Sequence, residues 1–173
     1  MMLGHGSPAG AARALQTAAG RTDLRTGPTE EHVRVTVLPA GIPLWAVDYK
    51  SGFYCVQLSA LLHAWVHETQ VTPLDRAVAQ PAPCDITDIS SRGSEQGTVV
   101  SLTMANVRPW RVRQELDPPT LKLDLFGVRL RHYGVRQLPD DRCVWAIEAR
   151  QIADDWAELT FRLLFHQQRG WQV

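Results

Sequence analysis

His63, His67 and Glu68, in the stretch LLHAWVHE, are the residues whose types and spacing come nearest to a metal site in this chain. Imidazole nitrogens and carboxylate oxygens are ordinary zinc ligands, and paired histidines four apart on a helix hold the metal of zinc hydrolases. The backbone beneath them decides whether they can share one ion. On a helix, residues four apart lie roughly 5–6 Å from one another. On a strand, at about 3.3 Å per residue, they stand roughly 13 Å apart. Leu58, Leu61, Leu62, Trp65 and Val66 follow the i, i+3, i+4, i+7, i+8 spacing of an apolar helical face, so periodicity alone favours the helix. The surrounding chain must arbitrate.

Other nucleophilic and metal chemistry has less to stand on. No GxSxG elbow is present, and no motif sets a histidine beside a cysteine. Cys55, Cys84 and Cys143 form no CxxC pair, which argues against a disulfide framework and a zinc knuckle. Cys55 and Cys143 sit in apolar runs, where cysteine ordinarily packs as a small hydrophobe.

The elements that must position any site belong to a chain of 173 residues, with 18 basic and 18 acidic side chains and no net charge. Such a balance creates no strong field for nucleic acid, anionic lipid or an acidic polymer, so no nucleic-acid partner is expected. Lys50 and Lys122 are the only lysines, an arginine bias that a GC-rich genome explains as well as carboxylate recognition does. No apolar run approaches the roughly 20 residues of a membrane span. The opening MMLGHGSPAGAARALQTAAG has neither the basic region nor the long apolar region of a secretory signal. A role outside the cytoplasm would need an export address that these residues do not supply.

Turn residues cut the chain into short extended runs, which predicts an all-β protein. The first block spans residues 11–74. Thr36-Val37-Leu38 and Ile42-Pro43-Leu44-Trp45-Ala46-Val47 flank Pro39-Ala40-Gly41; Asp48-Tyr49-Lys50-Ser51-Gly52 then reads as a turn before residues 53–58. Short strands between close turns fit a small barrel. Residues 75–83, within LDRAVAQPAP, read as a linker. The second block, residues 84–173, offers three hairpins: CDITDISSR with TVVSLTM, PWRVRQEL with LKLDLFGV, and CVWAIEAR with AELTFRLLF. Leu121, Leu123 and Leu125 alternate with Lys122, Asp124 and Phe126, and the block reads as an antiparallel sheet or sandwich.

Residues 21–74 resemble a bacterial SH3 domain (SH3b). Leu24-Arg25-Thr26-Gly27-Pro28, Leu38-Pro39-Ala40-Gly41-Ile42-Pro43-Leu44, Gly52-Phe53-Tyr54-Cys55-Val56-Gln57-Leu58 and Trp65-Val66 follow that family's landmarks in order. Phe53 stands where the family usually has tryptophan, and Ser59-Ala60-Leu61-Leu62 where it has a more polar, glycine-bearing turn. Residues 84–173 resemble the AMIN domain, a β-sandwich found ahead of the catalytic domain of many N-acetylmuramoyl-L-alanine amidases. TVVSLTMANVRPWRVRQELDPPTLKLDLFGVRL and LTFRLLFHQQRGWQV carry that likeness. The order of the two modules resembles the non-catalytic half of a cell-wall amidase.

The resemblance makes residues 53–58 one strand and residues 63–66 the next, which separates His63 from His67. In amidases of this type zinc is held in a separate α/β domain, which would follow Val173. No cofactor and no catalytic residue is therefore assigned to this chain. Gly4-His5-Gly6 is similar to a glycine-histidine motif of that domain but lies at the wrong end, and His32, His132 and His166 are scattered. What the resemblance implies is binding of peptidoglycan in the cell envelope, periplasm or wall, through a groove lined by aromatic residues. Trp45, Tyr49, Phe53, Tyr54 and Trp65 are the supply. Trp65 and Tyr54 are expected to be at least half core, and Tyr49, in the turn, the foremost surface contact. Arg111 and Arg113 share one strand face and could meet stem-peptide carboxylates, although a solvated sheet face is their commoner role. A protein-interaction adaptor, and a metal-dependent hydrolase using His63, His67 and Glu68, are the alternatives. The family supplies a further strand after residues 159–165, so an open sheet edge and self-association are also expected.

Overall fold

The computed structural model describes residues 13–18, 20–74, 80–94 and 97–164. Outside them lie His5, Ala11 and Ala12, residues 75–79 of the expected linker, Phe165 and His166. The chain forms two compact units, residues 1–82 and 83–173. Both are built from strands, as the density of turn residues predicts, and among the described residues no helix is long and apolar enough to cross a membrane.

In the first unit, β1 (Arg13–Thr17), β2 (Thr22–Arg25), β3 (Arg34–Leu38), β4 (Pro43–Lys50), β5 (Phe53–Ser59), β6 (Leu62–His67) and β7 (Val71–Pro73) form one sheet. Its order is β3-β2-β6-β5-β4-β1-β7, and every pair is antiparallel. Leu15, Leu24, Leu38 and Val56, from four strands, expose no surface. A single sheet can dry one face only by curling over it. The curl brings the β7 side back to β2: the Gln70 carbonyl accepts from Ala18 N at 2.9 Å and Thr22 Oγ1 at 3.2 Å.

The stretch with helical periodicity is a hairpin. β5 ends at Ser59, Ala60 and Leu61 turn the chain, and β6 begins at Leu62. Leu61, a member of the supposed helical stripe, is 69% exposed in that turn, where Ser59 Oγ accepts its N–H at 3.2 Å. β5 and β6 bury both of their faces in part, and a ladder with apolar residues on both sides imitates a 3.6-residue repeat.

In the second unit, β10 (Trp110–Glu115), β11 (Thr120–Phe126), β13 (Gly134–Gln137), β14 (Val144–Ala153) and β15 (Trp156–Leu163) form a sheet ordered β10-β11-β15-β14-β13. β8 (Cys84–Ser94), β9 (Gly97–Met104) and β12 (Val128–Leu130) form another, ordered β12-β8-β9. Ile86, Val128 and Leu130 of the smaller sheet share one core with Leu123, Leu125, Ile147, Leu159 and Phe161 of the larger. The hairpins β8–β9, β10–β11 and β14–β15 correspond to the three read from sequence. β12 departs from the antiparallel expectation by pairing with β8 in parallel. Gly127 makes the switch possible: at φ 68° it bends the chain between β11 in one sheet and β12 in the other, a conformation costly for residues with a Cβ. The last described strand, β15, is not an edge. It pairs with β11 on one side and β14 on the other, and among the described residues the larger sheet's edges are β10 and β13.

Candidate functional site

The β4–β5 hairpin turns on two residues, Ser51 and Gly52, both at positive φ (53° and 81°). Two such residues give the primed turn whose twist matches that of the flanking strands. The turn is shorter than the sequence reading allows, and Tyr49, expected within it, lies on β4. The register then sets Tyr49 directly opposite Tyr54, with ring centroids 4.9 Å apart and planes at 54°. A tilted pair at that spacing is a favourable aromatic arrangement.

Two charged residues hold the pair. β6 runs into a single 3₁₀ turn, Glu68–Gln70, whose first N–H donates to the Gly52 carbonyl at 2.9 Å. That bond fastens Glu68 beneath the hairpin, where its Oε2 accepts the Tyr49 hydroxyl at 2.5 Å. The bond to a carboxylate raises the Tyr49 pKa, so the phenol stays protonated at neutral pH. From the other side β1 pairs Arg13 with Ala46, and Arg13 Nη1 donates to the Tyr54 hydroxyl at 3.5 Å. Tyr49 is 49% exposed, Tyr54 is half-buried, and Arg13 and Glu68 are exposed. The group can stack on a ligand and hydrogen-bond to it, with a cation and an anion close by.

The other aromatic candidates do not join this group at the surface. Trp45 and Phe53 are core residues, 8% and 6% exposed. Trp45 sits opposite Ala14, and Phe53 makes an edge contact with the His67 ring at 4.9 Å. Both are corrected from ligand contacts to packing. Trp65 is half-buried, on the side of β6 opposite its fully buried neighbours Ala64 and Val66. Its cross-strand partner is Cys55, whose thiol pKa is pushed up by burial and then by Asp48. Trp65 and Tyr54 thus reach about half burial.

Strand geometry disposes of the chelate. His63 pairs with Gln57 and His67 with Phe53, at opposite ends of the ladder, while Glu68 Oε2 accepts the Tyr49 hydroxyl. His67 Nδ1 lies 2.8 Å from Thr69 Oγ1. Among the described residues no three His, Cys, Asp or Glu side chains are grouped to hold a metal ion.

Arg111 and Arg113 share one face of β10 as read, but they bind a carboxylate of this chain. Asp124 Oδ2 accepts Arg111 Nε and Arg113 Nε, each at 2.9 Å; Oδ1 accepts Arg113 Nη2 at 3.1 Å and Trp156 Nε1 at 3.0 Å. Arg113 also bridges to Glu158 at 2.8 Å. The Asp124 side chain is wholly buried. Burial alone would raise its pKa; the bonds from Arg113 and Arg111 outweigh it and hold the carboxyl below its ordinary range. Arg111 further lies 6.0 Å and 5.9 Å from the Phe126 and Trp156 ring centres. In this chain the two arginines hold a structural network around Asp124.

An open groove of about 480 Å³ in the second unit escaped the sequence reading. Ser91, Arg136, Asp140, Asp141 and Arg142 are among its lining. Asp141 Oδ1 accepts Thr98 Oγ1 and the N–H groups of Cys143 and Val144, tying the loop before β14 to the β8–β9 hairpin. Desolvation pushes the Asp141 pKa up, and these bonds, Val144 first, bring it below the usual value. No family model, curated protein or solved structure matches this chain.

Proposed function

We propose that the chain is a cell-wall targeting region: an SH3-like barrel over residues 11–74 and an AMIN-like sandwich over residues 84–173, joined by a linker. In this reading it belongs to the non-catalytic part of an N-acetylmuramoyl-L-alanine amidase, works in the cell envelope and binds peptidoglycan. Zinc hydrolysis belongs to a separate catalytic domain. The observation that carries the proposal is the cross-strand pair of exposed Tyr49 and half-buried Tyr54, held by Glu68 and Arg13 at one end of a curled sheet. Rigid aromatic side chains with a polar tip provide contact area at small entropic cost, which suits recognition better than catalysis. Two weak modules on one chain also raise each other's effective concentration on a polymer with repeated sites.

Co-sedimentation with purified sacculi tests it. The full chain is expected to be retained, and Tyr49→Ala to be retained at least about tenfold less, because exposed tyrosines are frequent centres of binding energy. Retention of the parent no better than that of a non-binding β-protein control overturns the proposal.

A further inference from the structure

Arg13 and Glu68 are both exposed, and among the described residues Arg13 has no carboxylate partner and Glu68 no cationic one. Each makes one side-chain hydrogen bond, and both bonds end on the same tyrosine pair. Glu68 keeps Oε1 for another donor, and Arg13 keeps the rest of its fork for another acceptor. Elsewhere Arg111, Arg113, Arg131 and Arg162 are matched with carboxylates of this chain. Near the tyrosines, an unmatched cation and an unmatched anion lie on either side of an aromatic surface.

We infer that this site recognises a zwitterionic group: an ammonium placed at Glu68, a carboxylate at Arg13, and the carbon chain joining them laid across Tyr49 and Tyr54. The inference rests on the tyrosine pair being the contact surface in the wall-binding reading, and it specifies the chemistry. A ligand with both charges meets a complementary partner at each end. A ligand with one charge leaves either Arg13 or Glu68 unanswered. A neutral sugar gains only the stacking. The ammonium can sit against the Glu68 carboxylate without displacing the Tyr49 hydroxyl, since a carboxylate accepts several donors. On the other side, the guanidinium can receive a carboxylate through two parallel N–H bonds.

Three synthetic tripeptides, acetyl-L-alanyl-γ-D-isoglutaminyl-X with the proximal carboxyl of X also amidated, so that only the distal end of X is charged, separate the cases. X is diaminopimelate, with a zwitterionic distal end; lysine, with an ammonium alone; or 2-aminopimelate, with a carboxylate alone. Titration calorimetry on the full chain, with the ring resonances of Tyr49 and Tyr54 followed by NMR, gives affinity and location. The diaminopimelate peptide is expected to bind about tenfold more tightly than either of the others, the effect of one charge-assisted contact. Glu68→Gln, which still accepts from Tyr49, should reduce its affinity to that of the 2-aminopimelate peptide, and Arg13→Gln to that of the lysine peptide. Equal affinities for the three peptides, or no measurable binding of any, overturn the inference. Sacculus retention distinguishes the two failures. Retention with equal or absent peptide binding leaves wall binding standing without the charge reading, and zwitterion preference without retention does the reverse.

Discussion

Replacement of Asp124 by asparagine should loosen the second unit more than its single-atom change implies. The Asp124 carboxylate accepts four side-chain hydrogen bonds: two at Oδ2 from the guanidinium groups of Arg111 and Arg113, and two at Oδ1 from Arg113 and Trp156. An asparagine must put its NH₂ at one of these positions. In either orientation a donor then faces donors, with at least one guanidinium left against it. Removing one partner of a buried ion pair costs about 3–5 kcal/mol. Here the side chains of Arg111 and Arg113 are 19% and 37% exposed, so water recovers part of the loss. A cost of about 2–3 kcal/mol remains after that discount.

Hydrogen exchange of the full chain reads this unit directly, through the amides of β11 and β15, which carry or adjoin the network. They should exchange about 30- to 150-fold faster at neutral pH, the equivalent of that free energy. The pH dependence has a definite sign. Asp124 has a lowered pKa in the fold, so its stabilisation is complete above the unfolded value, about 3.9, and is lost as pH falls through the folded value. The gap between parent and variant should therefore close in acid. Protection unchanged within about twofold at neutral pH, or a gap that persists in acid, would falsify the argument that charge on Asp124 holds the sheet.

A Cβ at Gly93 would lie 2.6 Å from Asp141 Oδ2, and Asp141 is held in place by its own hydrogen bonds. Gly93→Ala should cost about 1–3 kcal/mol in urea denaturation, and an unchanged midpoint would show that the loop before β14 gives way freely. Gly52→Ala forces a Cβ into the positive-φ half of the hairpin turn and should cost about 1–2 kcal/mol, with NMR shifts at both Tyr49 and Tyr54. Shifts confined to residues 51–53 would detach the turn from the pair. Among the described residues β13 is an edge strand exposed at every residue, with Val135 60% exposed, so Val135→Lys should reduce concentration-dependent self-association in sedimentation. A parent that is monomeric at all concentrations rules that edge out as a contact.

Local signals carried the reading furthest. The alternation of Leu121, Leu123 and Leu125 puts these residues on the core side of β11, and the three hairpins follow from turn residues between apolar runs. The same alternation assigns Lys122, Asp124 and Phe126 to the opposite face, yet Asp124 and Phe126 expose nothing. Periodicity states which face a residue occupies and is silent about what covers it. Here the cover comes from Arg111, Arg113 and Trp156 on neighbouring strands, brought into place by register. β1, β2, β7, β12 and β13 have three to five residues each and carry too little alternation to be read. The tyrosine pair was within reach: serine-glycine between two aromatic-bearing runs is a two-residue hairpin signal, and counting outward from it gives Tyr49 opposite Tyr54.

The charges around that pair have different origins in the chain, with a consequence for how the site can fail. Tyr49, Tyr54 and Glu68 lie within twenty residues of one another and are fixed by adjoining hairpins and the bond from Glu68 N to the Gly52 carbonyl. Arg13 arrives from β1, whose place depends on ladders to β4 and β7 and on the bond from Leu74 N to the Ala14 carbonyl. β7 has only three residues, so one flank of β1 is weakly secured. A short strand at the end of a sheet is where local opening begins. If β1 lifts, the aromatic surface and its anion persist while the cation leaves. The site would then still hold ammonium groups but lose its claim on carboxylates, so its charge selectivity reports the attachment of a strand distant in sequence.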